Sequence, residues 1–253
     1  MRFFKETAES VLKLDLNREW IIVDDVSSDG TREYASSLVD SNPFVHLINN
    51  TKRIGRAWEN YERGLKSSQS DYVLFLDHDD TLPSTEALAQ GLRFLEENRN
   101  IHLVISQVAY MDEYSRIYKV KRIPGATYPG SMSGRRLLWT LFLCPTYPLK
   151  QGAVLIRRSL FESTGNKFDI DFVLAATQYS DCGLISYVGL NYRNVRSSAS
   201  SQRAKTGERF WVNFSKTYFP NDRYWGLQYV FVSYKTILGW GKVLYSLFSP
   251  NRV

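Results

Sequence analysis

Five carboxylates stand directly after two apolar runs of the sequence, residues 20–23 and 72–76: Asp24, Asp25, Asp77, Asp79 and Asp80. Neighbouring carboxylates repel each other, so keeping them ionised together requires a cation or hydrogen-bond donors. The Asp-x-Asp at 77–79 suits a hard divalent cation, Mg²⁺ or Mn²⁺, which keeps several waters and bridges to phosphate oxygens. Solvated turn residues would give the same pattern, but two such clusters at one edge of a sheet favour a functional site.

The surrounding sequence predicts the elements that hold these carboxylates. Apolar residues recur at helical spacing in four segments: 3–14, 32–38, 57–65 and 85–98. Short continuous apolar runs, typical of buried strands, alternate with them: 20–23, 45–48, 71–76 and 101–106. This alternation predicts an α/β fold with a mostly parallel, Rossmann-like sheet flanked by helices on both faces. Ligands of such sheets bind beyond the carboxyl ends of the strands, where both acidic clusters fall.

Four segments, in order, carry a family resemblance. Residues 21–31, IIVDDVSSDGT, resemble the VVDDGSTDGT segment of family 2 glycosyltransferases, which have the GT-A fold. Residues 50–64, 71–80 (DYVLFLDHDD) and 152–169 resemble three later motifs of that family, the second of them its DxD motif. The resemblance covers roughly residues 1–200. It implies a nucleotide-diphosphate sugar as donor and a divalent cation, Mg²⁺ or Mn²⁺, as cofactor.

The resemblance also implies roles for individual residues. Asp25 would hydrogen-bond the nucleotide base with Asp24 as its support, Asp77 would contact the ribose, and Asp79 would ligate the divalent ion. Asp80 would support its neighbours. Two arginines of the 50–64 segment could contact the donor diphosphate: Arg53 and Arg56.

The catalytic base departs from the family pattern. Members usually carry an EDxDL element whose acidic residue deprotonates the acceptor hydroxyl, and residues 177–184 read TQYSDCGL at that place. We predict Asp181 as the base, because a carboxylate suits this task when its surroundings raise its pKa. Asp169 and Asp171 are the next candidates, and a solvated loop residue is the competing interpretation of Asp181.

The beginning of the chain also departs from the family pattern. Family members open with a central strand of the type VSVIIPTYN, whereas this sequence begins inside the helix that follows. Without that strand, buried backbone groups on both neighbours would stay unpaired, at roughly 1–3 kcal/mol each. We therefore expect a start assigned too late, a fragment or a degenerate gene, with low activity if the chain is complete.

Composition limits the compartment and the partners. The chain has 253 residues, 43% of them apolar, and two cysteines, which excludes a disordered chain and a disulfide scaffold. Its net charge of +6 comes from the region after residue 192, which has ten basic and two acidic residues. No recognition motif for nucleic acid accompanies this charge, so we expect no nucleic-acid partner. The sequence lacks a signal peptide and a long uncharged apolar run, which indicates a cytoplasmic protein, peripheral at the inner face of the cell membrane.

Two domains are predicted: residues 1–205, the nucleotide-sugar-binding catalytic domain without its first strand, and 206–253, a helical extension. The extension holds thirteen aromatic residues between positions 210 and 248. Such a basic aromatic helix either lies on a membrane surface or packs onto the catalytic domain. Four basic residues before it flank a polar segment that could close over the donor diphosphate: Arg193, Arg196, Arg203 and Lys205.

Three functions remain in competition. The first is an inverting glycosyltransferase acting on a hydroxyl of a cell-surface polysaccharide or lipid-linked glycan. The second is a haloacid-dehalogenase-type phosphatase, in which Asp77 would be the nucleophile of a DxDxT pattern. The third is an inactive transferase-like scaffold protein.

Overall fold

The computed structural model describes residues 1–143, 149–164 and 169–195. Residues Met1–Arg193 form one compact unit. The predicted extension at 206–253 and the polar segment before it lie outside the described residues. No helix in the described part of the chain is long and apolar enough to cross a membrane.

The first part of the chain builds a small parallel sheet. Its elements are α1 (Arg2–Leu12), β1 (Trp20–Asp24), α2 (Thr31–Ser41), β2 (Val45–Asn49) and α3 (Ala57–Ser67). Strands β1 and β2 pair in parallel, from Trp20 opposite Val45 to Asp24 opposite Asn49. Helix α1 buries Phe4, Ala8 and Val11 because they recur at helical spacing, and Phe4 and Ala8 pack in the cluster that joins the helices to this sheet.

The second part builds a larger mixed sheet. Its elements, in chain order, are β3 (Tyr72–Val73), α4 (Thr85–Glu97), β4 (Leu103–Met111), β5 (Ile117–Lys121), β6 (Gly130–Met132), α5 (Gly134–Leu143), β7 (Val154–Arg157), α6 (Arg158–Ser163), α7 (Asp169–Ala176) and β8 (Cys182–Arg193). The strand order is β3-β7-β4-β8-β6, and β5 pairs with β4. Among the described strands of this sheet, β4 and β8 form the one parallel pair, since β7 pairs antiparallel with β3 and β4, β5 with β4, and β6 with β8.

The α/β fold with a central sheet flanked by helices is confirmed, and all four predicted helices form. The predicted strand at 71–76 is wrong in length, because only Tyr72 and Val73 pair with β7. On its other side, no strand among the described residues pairs with this segment, and β1 belongs to the separate two-stranded sheet. Leu74 and Leu76 are instead held by side-chain packing, against a cluster that includes Val11 of α1.

A row of aromatic rings joins α7 to the centre of the molecule. Phe172 of α7 stacks on Phe161 of α6 with ring centroids 4.4 Å apart. Phe161 contacts Phe75 at 5.3 Å, and Phe75 contacts Tyr61 of α3 at 5.0 Å. Phe161 and Phe172 are fully buried. This row fixes the start of α7 relative to the segment that follows β3.

We expect Phe161→Ala to lower the free energy of unfolding by roughly 3–5 kcal/mol, because it leaves a cavity between two rings. The matched control is Tyr187→Ala, since Tyr187 is 47% exposed and surface substitutions usually change stability by less than about 0.5 kcal/mol. Chemical denaturation of both variants measures the difference. Equal stability of the two variants would contradict a packing role for this row.

Candidate active site

The first acidic pair lies where β1 ends. Asp24 is buried, and its carboxylate accepts hydrogen bonds from the Ser27 backbone N–H at 3.2 Å and from Arg32 Nε at 2.8 Å. Burial raises the pKa of Asp24, but these donors outweigh burial, so the net pKa lies below its ordinary value. Asp24 is therefore an ionised anchor of the turn rather than a group free to bind a ligand.

Asp25 ties the turn after β1 to the loop before α3. Its two carboxylate oxygens accept hydrogen bonds from the backbone N–H groups of Ile54 and Gly55 at 2.8 and 2.7 Å, and from Asn50 Nδ2 at 2.9 Å. These donors outweigh desolvation and lower the pKa of Asp25. A carboxylate has about four acceptor positions, so three internal bonds leave room for one further donor.

The two predicted phosphate-contacting arginines lie in this same region. Arg53 is exposed, and its charge contributes to the lowered pKa of Asp25. Arg56 precedes α3 and forms an ion pair with Glu59 at 2.7 Å, with 66% of its side chain exposed. Both arginines are therefore solvent-accessible next to Asp25.

The second acidic cluster forms a turn held by hydrogen bonds from α1, α3 and β8. The Asp80 N–H donates to the Asp77 carbonyl at 3.2 Å, which closes the turn. The Thr7 hydroxyl lies 2.9 Å from the His78 carbonyl and 2.7 Å from the Asp80 carbonyl. Tyr61 of α3 donates to the Asp77 carboxylate. The backbone of this 77–80 loop is thus fixed by groups from distant parts of the chain.

Two carboxyl groups of the 77–80 loop, those of Asp77 and Asp80, hold protons more strongly than usual. Burial, together with the charges of Asp77 and Asp79, raises the pKa of Asp80 to about 8. Dense protein surroundings and the Asp79 charge raise the pKa of Asp77 despite the Tyr61 hydrogen bond, although the residue still reaches solvent. A bound cation would relieve this repulsion.

A divalent ion fits this loop only with help from a ligand. No group of three His, Cys, Asp or Glu residues that could hold a metal occurs within residues 1–143, 149–164 and 169–195. Mg²⁺ is commonly bound through one or two carboxylates with substrate phosphates and waters completing its shell. The loop offers carboxylates of that kind, with Asp79 half-buried.

Helix α3 joins the two acidic loops through two consecutive residues. Asn60 Oδ1 accepts a hydrogen bond from Asn50 Nδ2 at 2.8 Å, and the same amide donates to Asp25. Tyr61, the next residue, donates to Asp77. Helix α3 is therefore linked to Asp25 through Asn60 and Asn50, and to Asp77 through Tyr61.

Asp181 lies away from the 77–80 loop. It precedes β8, whereas Asp80 accepts a hydrogen bond from the N–H of Arg193 at the other end of β8, at 2.8 Å. On the parallel partner β4, these ends correspond to Leu103 and Met111, eight residues or roughly 26 Å apart. Asp181 instead accepts a hydrogen bond from the Gly134 N–H at the start of α5, at 3.1 Å. The length of β8 thus separates Asp181 from the 77–80 loop.

A row of ring contacts connects α7 with the 77–80 loop. It links Phe172 through Phe161 and Phe75 to Tyr61, which contacts Asp77. Asp169 and Asp171 belong to the first turn of the same helix.

In α/β proteins, ligands bind beyond the carboxyl ends of the strands, which is where the two acidic loops of this chain follow β1 and β3. The family model described as "Glycosyl transferase family 2" matches residues 2–165. The chain belongs to this family and is a transferase. The resemblance stated from the motifs is confirmed, and the phosphatase interpretation of Asp77 is set aside.

Known proteins agree with this membership. The cholesterol galactosyltransferase of Borreliella burgdorferi is 24% identical over 98% of this chain and 78% of its own length. A Haemophilus influenzae protein named as a glycosyltransferase is 33% identical, over 37% of this chain and 36% of its own.

Solved structures share the fold. S. aureus TarS 1-349 in complex with UDP-GlcNAc superposes with a TM-score of 0.61 at 15% identity, over 85% of this chain and 63% of that one. The mannosyltransferase PcManGT from Pyrobaculum calidifontis, in complex with GDP-Man and Mn²⁺, gives 0.59 at 16% identity over 98% of this chain and 78% of that one.

Val26, the residue after Asp25, has a strained backbone conformation. Its φ of 62° lies in the left-handed region, where a β-branched side chain is unfavourable. The VVDDGSTDGT motif has glycine at the corresponding position. We expect Val26→Gly to raise the free energy of unfolding by about 1 kcal/mol, because removing Cβ relieves more strain than the added chain entropy costs. Denaturation midpoints measure this.

The control for this prediction is Val120→Gly. Val120 is an exposed valine of β5, outside the left-handed region, so the substitution is expected to destabilise. A loss of stability in Val26→Gly equal to that of the control would show that the turn carries no strain.

Proposed function

We propose that this protein transfers a sugar from a nucleotide-diphosphate sugar to an acceptor hydroxyl with inversion at the anomeric carbon. The observation that carries the proposal is the α3 link, in which Asn60 contacts Asp25 through Asn50 and the next residue, Tyr61, donates to Asp77. In this proposal Asp25 accepts a hydrogen bond from the nucleotide base. Asp77 accepts one from the ribose.

The diphosphate of the donor completes the site. Asp79 would ligate a Mg²⁺ or Mn²⁺ ion, whose charge would stabilise the departing nucleoside diphosphate. Arg53 and Arg56, which are exposed beside Asp25, would contact the diphosphate oxygens. One solved neighbour is in complex with UDP-GlcNAc and the other with GDP-Man and Mn²⁺, which supports this class of donor and cation.

The acceptor oxygen would attack the anomeric carbon while a carboxylate takes its proton. We place this base in the first turn of α7, at Asp169 or Asp171, because Asp181 lies at the far end of β8. The acceptor we propose is a hydroxyl of a cell-surface polysaccharide or lipid-linked glycan. The name of the Borreliella relative favours a lipid hydroxyl as the second acceptor class.

A place at the inner face of the cell membrane suits such acceptors. The support is the composition of residues 206–253, which are rich in aromatic residues and carry an excess of basic ones. Interfacial helices of this composition are attracted to anionic lipids.

We expect Asp79→Asn to abolish Mn²⁺-dependent binding of nucleotide sugars, with affinity at least about 100-fold weaker, because the ion loses its protein carboxylate. Isothermal titration with a panel of UDP- and GDP-sugars, with and without Mn²⁺, measures this. Asp112→Asn is the control, since Asp112 pairs with Arg116 in a surface turn. A wild-type chain that binds no donor of the panel would favour the scaffold interpretation.

The base is identified by comparing three substitutions in a glycosyl-transfer assay: Asp169→Asn, Asp171→Asn and Asp181→Asn. We expect one of the two α7 variants to lose turnover by roughly 10²–10⁴-fold while it keeps donor binding, as loss of general base catalysis predicts. Asp181→Asn should retain turnover. Loss of turnover in Asp181→Asn alone, with the protein still folded, would contradict the placement of the base on α7.

A further inference from the structure

Arg193 is a fully buried cation at the end of β8, where the sequence analysis had expected a residue flanking a polar segment. Its side chain has no exposed surface. A charge so deeply buried is unfavourable unless its hydrogen-bonding groups are all used. The contacts of Arg193 therefore show which groups compensate its buried charge.

These contacts converge on the acidic loop. Arg193 Nε donates to the Asp79 carbonyl at 2.8 Å, and the Arg193 backbone N–H donates to Asp80 Oδ1 at 2.8 Å. Arg193 Nη2 forms an ion pair with Glu6 of α1 at 2.6 Å, and Nη1 donates to the Ser115 hydroxyl at 2.9 Å. The guanidinium also lies 4.5 Å from the ring centre of Phe3. One side chain thus joins the 77–80 loop to α1 and to the turn before β5.

Thr7 of α1 also contacts the backbone of the 77–80 loop. Its hydroxyl contacts the carbonyls of His78 and Asp80, on both sides of the Asp79 carbonyl that Arg193 holds. The backbone around Asp79 therefore cannot rotate without breaking at least one buried hydrogen bond. A metal-binding carboxylate on a backbone fixed in this way is pre-organised before its ligand arrives.

Glu6, rather than the proposed metal ligand Asp79, forms the ion pair with Arg193. The guanidinium donates to the backbone carbonyl of Asp79. Arg193 therefore contacts the backbone of Asp79 and pairs its charge with Glu6.

We propose that Arg193, held by Glu6, is a positioning residue that sets the backbone of Asp79 for the divalent ion and the donor. This inference rests on the proposed function. It gives α1 and the end of β8 a shared role in donor binding.

The test compares Arg193→Lys, Thr7→Val and Glu6→Gln with Arg18→Lys as the matched control. Arg18 also donates to backbone carbonyls, those of Leu16 at 2.9 Å and Leu12 at 3.1 Å, and lies over a phenylalanine ring. Arg18 is far in sequence from the 77–80 loop. Calorimetry measures the Mn²⁺ concentration that half-saturates binding of UDP or GDP. Thermal unfolding is measured in parallel.

We expect Arg193→Lys to raise the half-saturating Mn²⁺ concentration at least tenfold, and Thr7→Val and Glu6→Gln to raise it by smaller factors. Nucleotide binding without Mn²⁺ should stay unchanged in all variants, and Arg18→Lys should shift only the unfolding temperature. Unchanged Mn²⁺ dependence in folded Arg193→Lys or, if that variant does not fold, in Thr7→Val would overturn the inference and leave the proposed function intact. Absence of Mn²⁺-dependent binding in the wild-type chain would overturn both.

Discussion

Crowded carboxylates at the ends of neighbouring strands are the constraint on which this molecule depends. Asp77, Asp79 and Asp80 repel one another within the 77–80 loop, and Asp24 and Asp25 stand side by side after β1, so both loops need hydrogen-bond donors from the protein. The fold supplies these donors from elements that are distant in sequence, so that α1, α3 and β8 each direct hydrogen bonds at the 77–80 loop. Two results follow for the carboxyl groups: the pKa values of the first pair fall, and those of Asp77 and Asp80 rise.

These opposite pKa shifts suit the two loops to different ligands. The first loop has enough donors to hold its carboxylates ionised, which suits a rigid surface for a nucleotide base. In the second loop the pKa values of Asp77 and Asp80 are raised, and a cation that arrives with a diphosphate would favour their ionised forms. The same residue types thus have opposite pKa shifts because their surroundings differ, with backbone N–H groups at Asp25 and burial together with a neighbouring carboxylate at Asp77.

The extent to which sequence predicted this arrangement depends on how local each feature is. Helices α1 to α4 follow from apolar periodicity within a dozen residues, and the acidic motifs identify the loops directly. The strand at 71–76 was overestimated because strand pairing needs a partner that periodicity cannot reveal. Arg193 was misinterpreted for the same reason, since its ion pair with Glu6 spans 187 positions of the chain. Asp181 was chosen from local motif spacing, which cannot show that it and Asp80 lie at opposite ends of β8.

Side-chain contacts set the distance between the two acidic loops, because the loops belong to separate sheets. Within the described residues, no backbone ladder connects β1 and β2 with the larger sheet. The first acidic loop belongs to the small sheet and the second follows β3, so their distance is set by what bridges them. Those bridges are the Asn60 and Tyr61 contacts of α3 and the packing of Val11 against the segment after β3. A donor that binds both loops would add a further link between the sheets, so donor binding and the stability of the whole domain should be coupled.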